Sequence, residues 1–257
     1  MLKNKIIVIT GGSGLIGSSF VEAVVQNQGI AIIADINLDL AHKLKSRLEV
    51  KYQNANVDCV LLDITSKDSI QKCIAYLNDR YSKIDALVNN AYPRTSNWGK
   101  KSFYEIEYED FCLNMNMQMG GYLLCSQQFS IYFKKQGFGN IVSMSSIQGM
   151  HAPKFDTYCG TNMTSPIEYS IIKAGVNHMT RYLAKYFANS GIRVNAIAPG
   201  GILDKQPEIF LKRYREYCAS KGMLDAQDLN GTLVFLLSDN SKFINGQILV
   251  VDDGWGL

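Results

Sequence analysis

Residues that hold metals or cross-link chains are scarce in this sequence. The 257 residues include only three histidines and six cysteines, and no two cysteines form a C-x-x-C pair. Neither residue type is grouped at the spacing of a metal site. The sequence therefore predicts no metal centre, and we expect the cysteines to be free thiols in a reducing compartment.

The chain also lacks a strong excess of charge of either sign. Its 26 basic and 23 acidic residues give a formal net charge of +3. Binding to a nucleic-acid backbone requires a concentrated basic face, and no such concentration is present. Nucleic acid is therefore not an expected partner.

Long hydrophobic runs are absent as well. No apolar run approaches the length of about 18 residues that a membrane-spanning helix needs. A strand-like run begins at Lys5, which leaves no room before it for a secretory leader. The expectation is a cytoplasmic protein without a membrane partner. Since no linker or repeat interrupts the chain, residues 1–257 are expected to form one domain.

Short apolar, β-branched runs recur along the chain at intervals that leave room for helices. Seven of them predict strands: Lys5–Thr10, Gly29–Asp35, Val57–Leu62, Ile84–Asn89, Asn140–Met144, Ile192–Ile197 and Gln247–Val251. Helical patterns follow the first run to about Gln28 and recur near 66–80, 105–135, 166–189 and 226–238. The alternation predicts an α/β fold with a doubly wound, parallel seven-stranded sheet, and ligands are expected at the carboxyl ends of its strands.

A glycine-rich turn directly follows the first predicted strand. Gly11, Gly14 and Gly17 lie in this turn and open an amphipathic helix. Strand, glycine turn and helix together are typical of a dinucleotide site, because a backbone without side chains can approach a pyrophosphate at the helix N-terminus. Asp35, at the end of the next strand, has the position of the acid that binds the adenosine ribose hydroxyls. The alternatives are a simple tight turn and a solvated loop carboxylate.

Tyr169 and Lys173 lie four residues apart in the segment that reads as a helix over 166–189. Residues at this spacing share one helix face, so both side chains can point into the same pocket. A nearby ammonium favours the phenolate and lowers the pKa of the tyrosine. Tyr169 could then exchange a proton with a substrate oxygen. A chance pair on an amphipathic helix is the alternative.

These features occur, together with others, in an order that resembles the short-chain dehydrogenase/reductase family. The resemblance runs from Lys5 to the C-terminus. The motifs that carry it are Thr10-Gly11, Asp63-Ile64, Asn89-Asn90-Ala91, Ser145-Ser146, the Tyr169/Lys173 pair, Arg193-Val-Asn-Ala-Ile-Ala-Pro199-Gly200 and Val251-Asp-Asp-Gly-Trp255. The resemblance implies a Rossmann-like, single-domain oxidoreductase that depends on NAD(P).

The resemblance also implies roles for individual residues. Tyr169 would be the catalytic acid and base, Lys173 would lower its pKa and bind the nicotinamide ribose, and Ser146 would hydrogen-bond the reacting oxygen. Ser143 and Ser145 compete for the last role. The implied cofactor-binding residues are Gly11, Ser13, Gly14, Leu15, Ile16, Gly17, Asp35, Asp63, Ile64, Asn90, Ala91, Tyr169, Lys173, Pro199, Gly200 and Ile202, with Asp63 and Asn90 on the adenine side.

The sequence departs from the family pattern in three places. The glycine spacing is the one seen in extended members of the family, although the chain has the length of the single-domain members. Gln118 occupies the register of the family's catalytic asparagine, with Asn114 and Asn116 close by, so this fourth catalytic role stays open among them. The separation between Ser146 and Tyr169 is longer than is usual in the family.

The extra length lies in the polar segment Gln148–Pro166. A loop of this length in a compact domain is usually functional. We expect a substrate lid that orders mainly when ligand binds, because its polar side chains bury too little apolar surface to offset the entropy of ordering. A rigid excursion held by subunit contacts is the alternative. The polar composition favours a polar small-molecule substrate, and Arg94 and Lys154 are candidates to bind an anionic group unless they are solvated loop cations.

A looser resemblance concerns the substrate. The glycine spacing, the polar insertion and the segment Ala152–Tyr158 are similar to short-chain dehydrogenases associated with bacterial surface polysaccharide or flagellin sugar synthesis. It implies an oxidoreductase that interconverts an alcohol and a ketone on a sugar-derived substrate. A 3-oxoacyl carrier-protein reductase and a non-catalytic dinucleotide-binding regulatory subunit are the alternatives. Substrate identity and reaction direction stay open.

Cofactor preference and assembly complete the expectations. NAD(H) is favoured over NADP(H), because Asp35 would repel a 2′-phosphate and the next three residues are neutral. The helical segments 115–135 and 166–188 are rich in apolar residues for helices that cover one face of a sheet. Together with the family resemblance, they predict a homodimer or homotetramer.

Overall fold

The sheet of this protein has seven parallel strands in the order β3-β2-β1-β4-β5-β6-β7. A computed structural model describes all 257 residues. The strands are β1 (Ile6–Thr10), β2 (Ile30–Asp35), β3 (Val57–Leu61), β4 (Ala86–Asn89), β5 (Gly139–Met144), β6 (Ile192–Pro199) and β7 (Ile248–Val251). The predicted Rossmann-like, doubly wound, single-domain α/β fold is confirmed.

Eight α-helices cover the two faces of the sheet. They are α1 (Leu15–Gln26), α2 (Leu38–Lys51), α3 (Lys67–Tyr81), α4 (Tyr108–Met115), α5 (Gly121–Gln136), α6 (Ile167–Tyr186), α7 (Glu208–Arg215) and α8 (Asn230–Leu237). The helix predicted near 105–135 is two helices joined by a π-helical turn at Asn116–Gly120. Helices α2 and α7 were not predicted from the sequence.

The core forms two apolar layers, one on each face of the sheet. Successive side chains of a strand point to opposite faces. In β1, Ile7 and Ile9 therefore pack in the layer under α1, α2 and α8, while Ile6 and Val8 pack in the layer under α3, α5 and α6. Both faces are covered, which explains why β1 reads as a continuous apolar run.

The position of the binding crevice follows from the strand order. From β1 the chain adds β2 and β3 on one side, and from β4 onward it adds strands on the other side. In open α/β sheets ligands bind at this reversal, outside the carboxyl ends of the strands. The crevice here therefore opens above the ends of β1 and β4.

The segment Gln148–Pro166 is packed against α7 of the same chain. The rings of Tyr158 and Phe210 lie 5.1 Å apart. The Tyr217 hydroxyl donates to Asp156 at 2.5 Å, and the Arg213 guanidinium donates to the backbone carbonyl of Asp156 at 3.3 Å. The segment is thus held from within the chain, and its closure on ligand binding stays a prediction.

The structure also describes the state of the cysteines and the character of the helices. All six cysteines are free thiols. No helix combines the length and the apolar character needed to cross a lipid bilayer.

Candidate active site

A cavity of about 770 Å³ lies at the carboxyl ends of the strands. One end is formed by the β1–α1 turn and the end of β2. The other end is formed by the loop after β4, the end of β5, the segment Gln148–Pro166 and α7. The cavity therefore joins the predicted dinucleotide site to the predicted substrate loop.

Tyr169, Lys173 and Ser146 converge on the wall of this cavity. Tyr169 and Lys173 lie in the first two turns of α6, and the Lys173 Nζ atom is 5.5 Å from the centre of the Tyr169 ring. The Lys173 ammonium donates to the backbone carbonyl of Met144, at the end of β5, at 2.8 Å. Ser146 begins the turn after β5, where its hydroxyl accepts from the Gln148 backbone N–H at 3.1 Å.

The structure separates the three serines at the end of β5. The Ser145 hydroxyl donates to the Asn177 side chain of α6 at 2.5 Å, and the Ser143 hydroxyl accepts from the Asn89 amide at 3.3 Å. Both hydroxyls are thus bonded to neighbouring elements. Ser146 is left as the hydroxyl close to Tyr169, in keeping with its proposed role toward the reacting oxygen.

Burial shifts the acid–base properties of Tyr169 and Lys173 in opposite directions. It lowers the pKa of the Lys173 ammonium to about 7 and raises the pKa of Tyr169. The nearby Ser146 hydroxyl opposes this rise in the pKa of Tyr169. The lowering of the Tyr169 pKa that was expected from Lys173 is therefore absent, because burial of the phenol dominates the shift.

Two aromatic side chains from the loop after β4 surround Tyr169. The Tyr92 ring lies 5.9 Å and the Trp98 ring 6.1 Å from the Tyr169 ring, each in an edge-to-face arrangement. Tyr92 and Trp98 also contact each other at 5.6 Å. The tyrosine is thus held in a fixed aromatic setting that opens toward the cavity.

Gln118, Asn114 and Asn116 take different positions around the π-helical turn. Gln118 is buried, and neither polar atom of its amide has a partner. The Asn114 amide is bonded to Thr95, and Asn116 is exposed. Gln118 does not line the cavity, so a role there would be indirect. Among the three residues, it alone has a buried amide left to bind a further group.

The β1–α1 turn is built for close approach of a ligand to the backbone. Gly11 has a φ of +61°, and a side chain at Gly17 would lie 2.2 Å from the Gly11 carbonyl oxygen. The Asn90 amide braces the turn by donating to the carbonyls of Thr10 at 3.0 Å and Gly11 at 3.2 Å. Gly14, the N-cap of α1, supplies no side-chain acceptor. These features suit a pyrophosphate at the start of α1.

Asp35 lies at the carboxyl end of β2, and its carboxylate is bonded to the same turn. Its carboxylate accepts from the backbone N–H of Ser13 at 3.0 Å, from the Ser13 hydroxyl at 2.5 Å and from the Asn37 N–H at 3.0 Å. These bonds fix the carboxylate at the cavity wall. No lysine or arginine lines this end of the cavity.

Most predicted site residues line the cavity, but four do not. Gly11, Ser13, Gly14, Leu15, Ile16, Gly17, Asp35, Asn90, Ser146, Tyr169, Lys173, Pro199, Gly200 and Ile202 line it. Besides Gln118, the exceptions are Asp63, Ile64 and Ala91. The Asp63 carboxylate accepts from its own turn at Thr65, Ile64 is buried against Gly121, and Ala91 packs behind Gly11.

Several cavity residues were not indicated by the sequence. They include Tyr92, Trp98, Phe210, Tyr214, Met223 and Trp255. Tyr92 had a signal, since it directly follows the Asn-Asn-Ala motif, whereas Phe210 and Tyr214 belong to the unpredicted helix α7. Of the two candidate anion-binding cations, Arg94 lines the cavity. Lys154 does not, and its ammonium lies 5.5 Å from the centre of the Trp255 ring.

Comparison with known proteins agrees with this geometry. A family model described as enoyl-(acyl carrier protein) reductase matches residues 13–256. The post-translational flagellin modification protein A of Campylobacter coli is 53% identical over the full length of both chains. The 7alpha-hydroxysteroid dehydrogenase of Bacteroides fragilis is 33% identical over 98% of this chain and 94% of its own.

A solved structure gives the same result. The short chain dehydrogenase from Leptospira borgpetersenii with bound NAD+ superimposes with a TM-score of 0.86 and 31% identity, covering 100% of this chain and 94% of that one. The chain belongs to the short-chain dehydrogenase/reductase family. It is accordingly an oxidoreductase with a nucleotide-binding Rossmann-like fold, as the order of motifs predicted.

Proposed function

We propose that this enzyme is an NAD(H)-dependent oxidoreductase that interconverts an alcohol and a ketone on a polar, sugar-derived substrate. The observation that carries the proposal is the convergence of Ser146, Tyr169 and Lys173 on a cavity that continues from the glycine turn. The 53% identity to a flagellin modification protein supports the sugar-related part. The polar segment Gln148–Pro166 supports a polar substrate.

The cofactor fits the residues at one end of the cavity. Gly11, Gly14 and Gly17 would hold the pyrophosphate, and Asp35 would accept from the adenosine ribose hydroxyls. A bound nicotinamide dinucleotide would supply hydride exchange at the substrate carbon. Asp35 also favours NAD(H), since its charge opposes a 2′-phosphate. Calorimetry should give tighter binding for NADH than for NADPH; equal or tighter NADPH binding would reject this preference.

The protein's own part in the reaction is to hold the oxygen and move one proton. The Ser146 hydroxyl donates to the reacting oxygen and fixes its position beside Tyr169. During reduction, the Tyr169 hydroxyl gives its proton to that oxygen as negative charge develops on it, and during oxidation the tyrosine oxygen takes the proton back. Because its pKa is raised, Tyr169 is protonated at neutral pH and can donate this proton during reduction.

The main rival is a reductase of acyl carrier-protein thioesters, because the matching family model carries a description from that class. A direct test is to screen NADH oxidation and NAD reduction with sugar phosphates, nucleotide sugars and acyl thioesters. We expect turnover with members of the sugar panel. Turnover restricted to the acyl thioesters would reject the substrate class, and absence of turnover with every compound would favour a non-catalytic subunit.

A further inference from the structure

Arg94 is the one exposed cation in the wall of the cavity. The other charged side chains there are Asp35, Lys173 and Asp204. Asp35 is bonded to the glycine turn, and Lys173 is buried and bonded to Met144. Arg94 has neither an ion pair within 4 Å nor a side-chain hydrogen bond, although two carboxylates share its cavity. Its five N–H donors are free to bind a ligand.

The location of Arg94 is on the reacting side of the cavity. Its guanidinium carbon lies 5.3 Å from the centre of the Tyr92 ring, and that ring lies 5.9 Å from the Tyr169 ring. The cation is therefore one aromatic ring away from the proposed acid. Asp35 marks the opposite, adenosine end of the cavity, so Arg94 is not placed to bind a 2′-phosphate of the cofactor.

The loop that carries Arg94 is held at two points that follow Arg94 in the chain. The fully buried Asn114 amide accepts from the Thr95 backbone N–H at 3.1 Å and donates to the Thr95 hydroxyl at 3.2 Å. Farther along the loop, the Thr164 hydroxyl of the substrate segment donates to the Gly99 carbonyl at 2.7 Å. A donor group on a fixed loop loses less entropy when it binds a ligand.

We propose that Arg94 binds a phosphate or carboxylate carried by the substrate, and that Asn114 positions the loop that presents it. The inference rests on the proposed function and narrows its substrate class to sugars that carry a phosphate or a carboxylate. A guanidinium matches the paired oxygens of phosphates and carboxylates with two parallel hydrogen bonds. A neutral substrate that filled the cavity would remove water from Arg94 without replacing its hydrogen bonds.

A competing role for Arg94 is to neutralise Glu168. This carboxylate is buried beside Tyr169, and one of its oxygens has no partner. Glu168 raises and Arg94 lowers the pKa of Tyr92, so both charges lie near that ring. No ion pair within 4 Å joins Glu168 to Arg94. Glu168→Gln tests this alternative, because it removes the carboxylate and leaves the proposed ligand-binding group unchanged.

The experiment compares matched probes on the NAD-loaded enzyme. Calorimetry would measure binding of a hexose, its 6-phosphate and the corresponding hexonate, in several stereochemical series. We expect at least one charged probe to bind about tenfold or more tightly than its neutral parent. Arg94→Ala should remove that preference, Arg94→Lys should keep part of it, and Glu168→Gln should retain it. Lys100→Ala, which removes an exposed cation from the same loop, is the matched control and should also retain it.

Asn114→Ala separates positioning from general stability. If Asn114 places Arg94, this variant weakens the charged probe and leaves the neutral parent and NAD unaffected. Equal weakening of both probes would assign Asn114 a merely structural role. Unchanged NAD binding by the Arg94 variants would show that they are folded.

Three results would overturn the role of Arg94: no charged probe binds more tightly than its parent, the preference persists in Arg94→Ala, or Glu168→Gln also abolishes it. Hydride transfer is measured separately. If the enzyme turns over a neutral sugar and Arg94→Ala leaves that turnover unchanged, the proposal that the substrate carries an oxyanion is rejected, while the proposed oxidoreductase function stands. If a probe binds through Arg94 but no probe is turned over, the oxidoreductase proposal is rejected, while the role of Arg94 in binding stands. The two proposals can thus fail independently.

Discussion

Lys173 is a buried cation, and its burial lowers the stability of the folded protein. Its pKa is lowered from 10.5 in water to about 7 in the folded protein. The unfolded chain therefore binds a proton more readily than the folded protein between these values. The cost to stability is complete below about pH 7 and fades as the pH rises toward the unfolded value.

Lys173→Met should consequently stabilise the protein at neutral pH while abolishing turnover. The expected gain in unfolding free energy is on the order of 2–4 kcal/mol at about pH 6, shrinking toward about pH 9.5. Urea unfolding of both proteins across this range is the measurement. A gain that does not change with pH would mean that the ammonium is not the source of the cost.

Tyr169→Phe tests the proton step alone. Removal of one hydroxyl should leave folding and NAD binding intact and lower kcat by about 10²–10⁴, the usual value of a positioned acid. Tyr182→Phe, on the exposed side of the same helix, is the control and should keep its activity. A near-normal kcat for Tyr169→Phe with an accepted substrate would remove Tyr169 from the mechanism.

The residues of the site differ in how far the sequence could reveal them. Tyr169 and Lys173 were found because four-residue spacing on a helix is a local property. Ser146 was found through the register of a motif, but only the bond from Ser145 to Asn177 separates it from its neighbour. The opposing pKa shifts of Tyr169 and Lys173 could not be predicted. They depend on burial by aromatic side chains that are distant in the sequence.

At the scale of elements, close packing between the substrate segment and α6 places the catalytic groups. A side chain at Gly149 would lie 2.5 Å from the backbone carbonyl carbon of Lys173. The Asn177 amide of α6 also donates to the Gly149 carbonyl at 3.1 Å. The start of the segment is thus held directly against the turn of α6 that carries Lys173.

Gly149→Ala should therefore push the segment away from α6. We expect a loss of about 1–3 kcal/mol in unfolding free energy, typical of overpacking, and a fall in kcat. Gly231→Ala in α8 is the matched control, because nothing lies within 4 Å of the added methyl group, and it should be neutral or slightly stabilising. Full activity and stability of Gly149→Ala would contradict the assigned packing.

The strands were predicted almost completely, whereas two helices were missed. Strands β1, β2 and β4, in the interior of the sheet, are almost wholly buried and read as short apolar runs. Helix α2 buries only Ala41, Leu44 and Leu48, and α7 buries only Phe210 and Tyr214, so each has a narrow apolar face among many charged residues. The π-helical turn between α4 and α5 also has no sequence signal, since its residues are compatible with an ordinary helix.

At the scale of the whole molecule, α5 and α6 present apolar side chains to the surface. Leu123 and Ile131 of α5 are 51% and 50% exposed, and Tyr182 and Tyr186 of α6 are 60% and 71% exposed. Where exposed apolar side chains form a contiguous patch, that patch usually marks an interaction site. The homodimer or homotetramer expected from the sequence would cover these helices.

Light scattering at micromolar concentration should give a dimeric or tetrameric mass. Leu123→Glu should shift the population toward monomer, because a charge would be buried in the interface. Val50→Glu adds the same charge to the exposed α2 and should leave the mass unchanged. A monomeric mass for the unmodified protein would reject the assembly.

The protein has a third, smaller core beside the two layers of the sheet. Ile147, Phe210, Tyr214 and Trp255 form it, with Tyr158 and Met163 packed at its edge. All of them belong to the substrate side of the cavity, and none belongs to the dinucleotide side. The proposed substrate side of the cavity thus has its own packing unit, so a graft meant to exchange specificity between relatives must transfer the segment, α7 and the residues around Trp255 together.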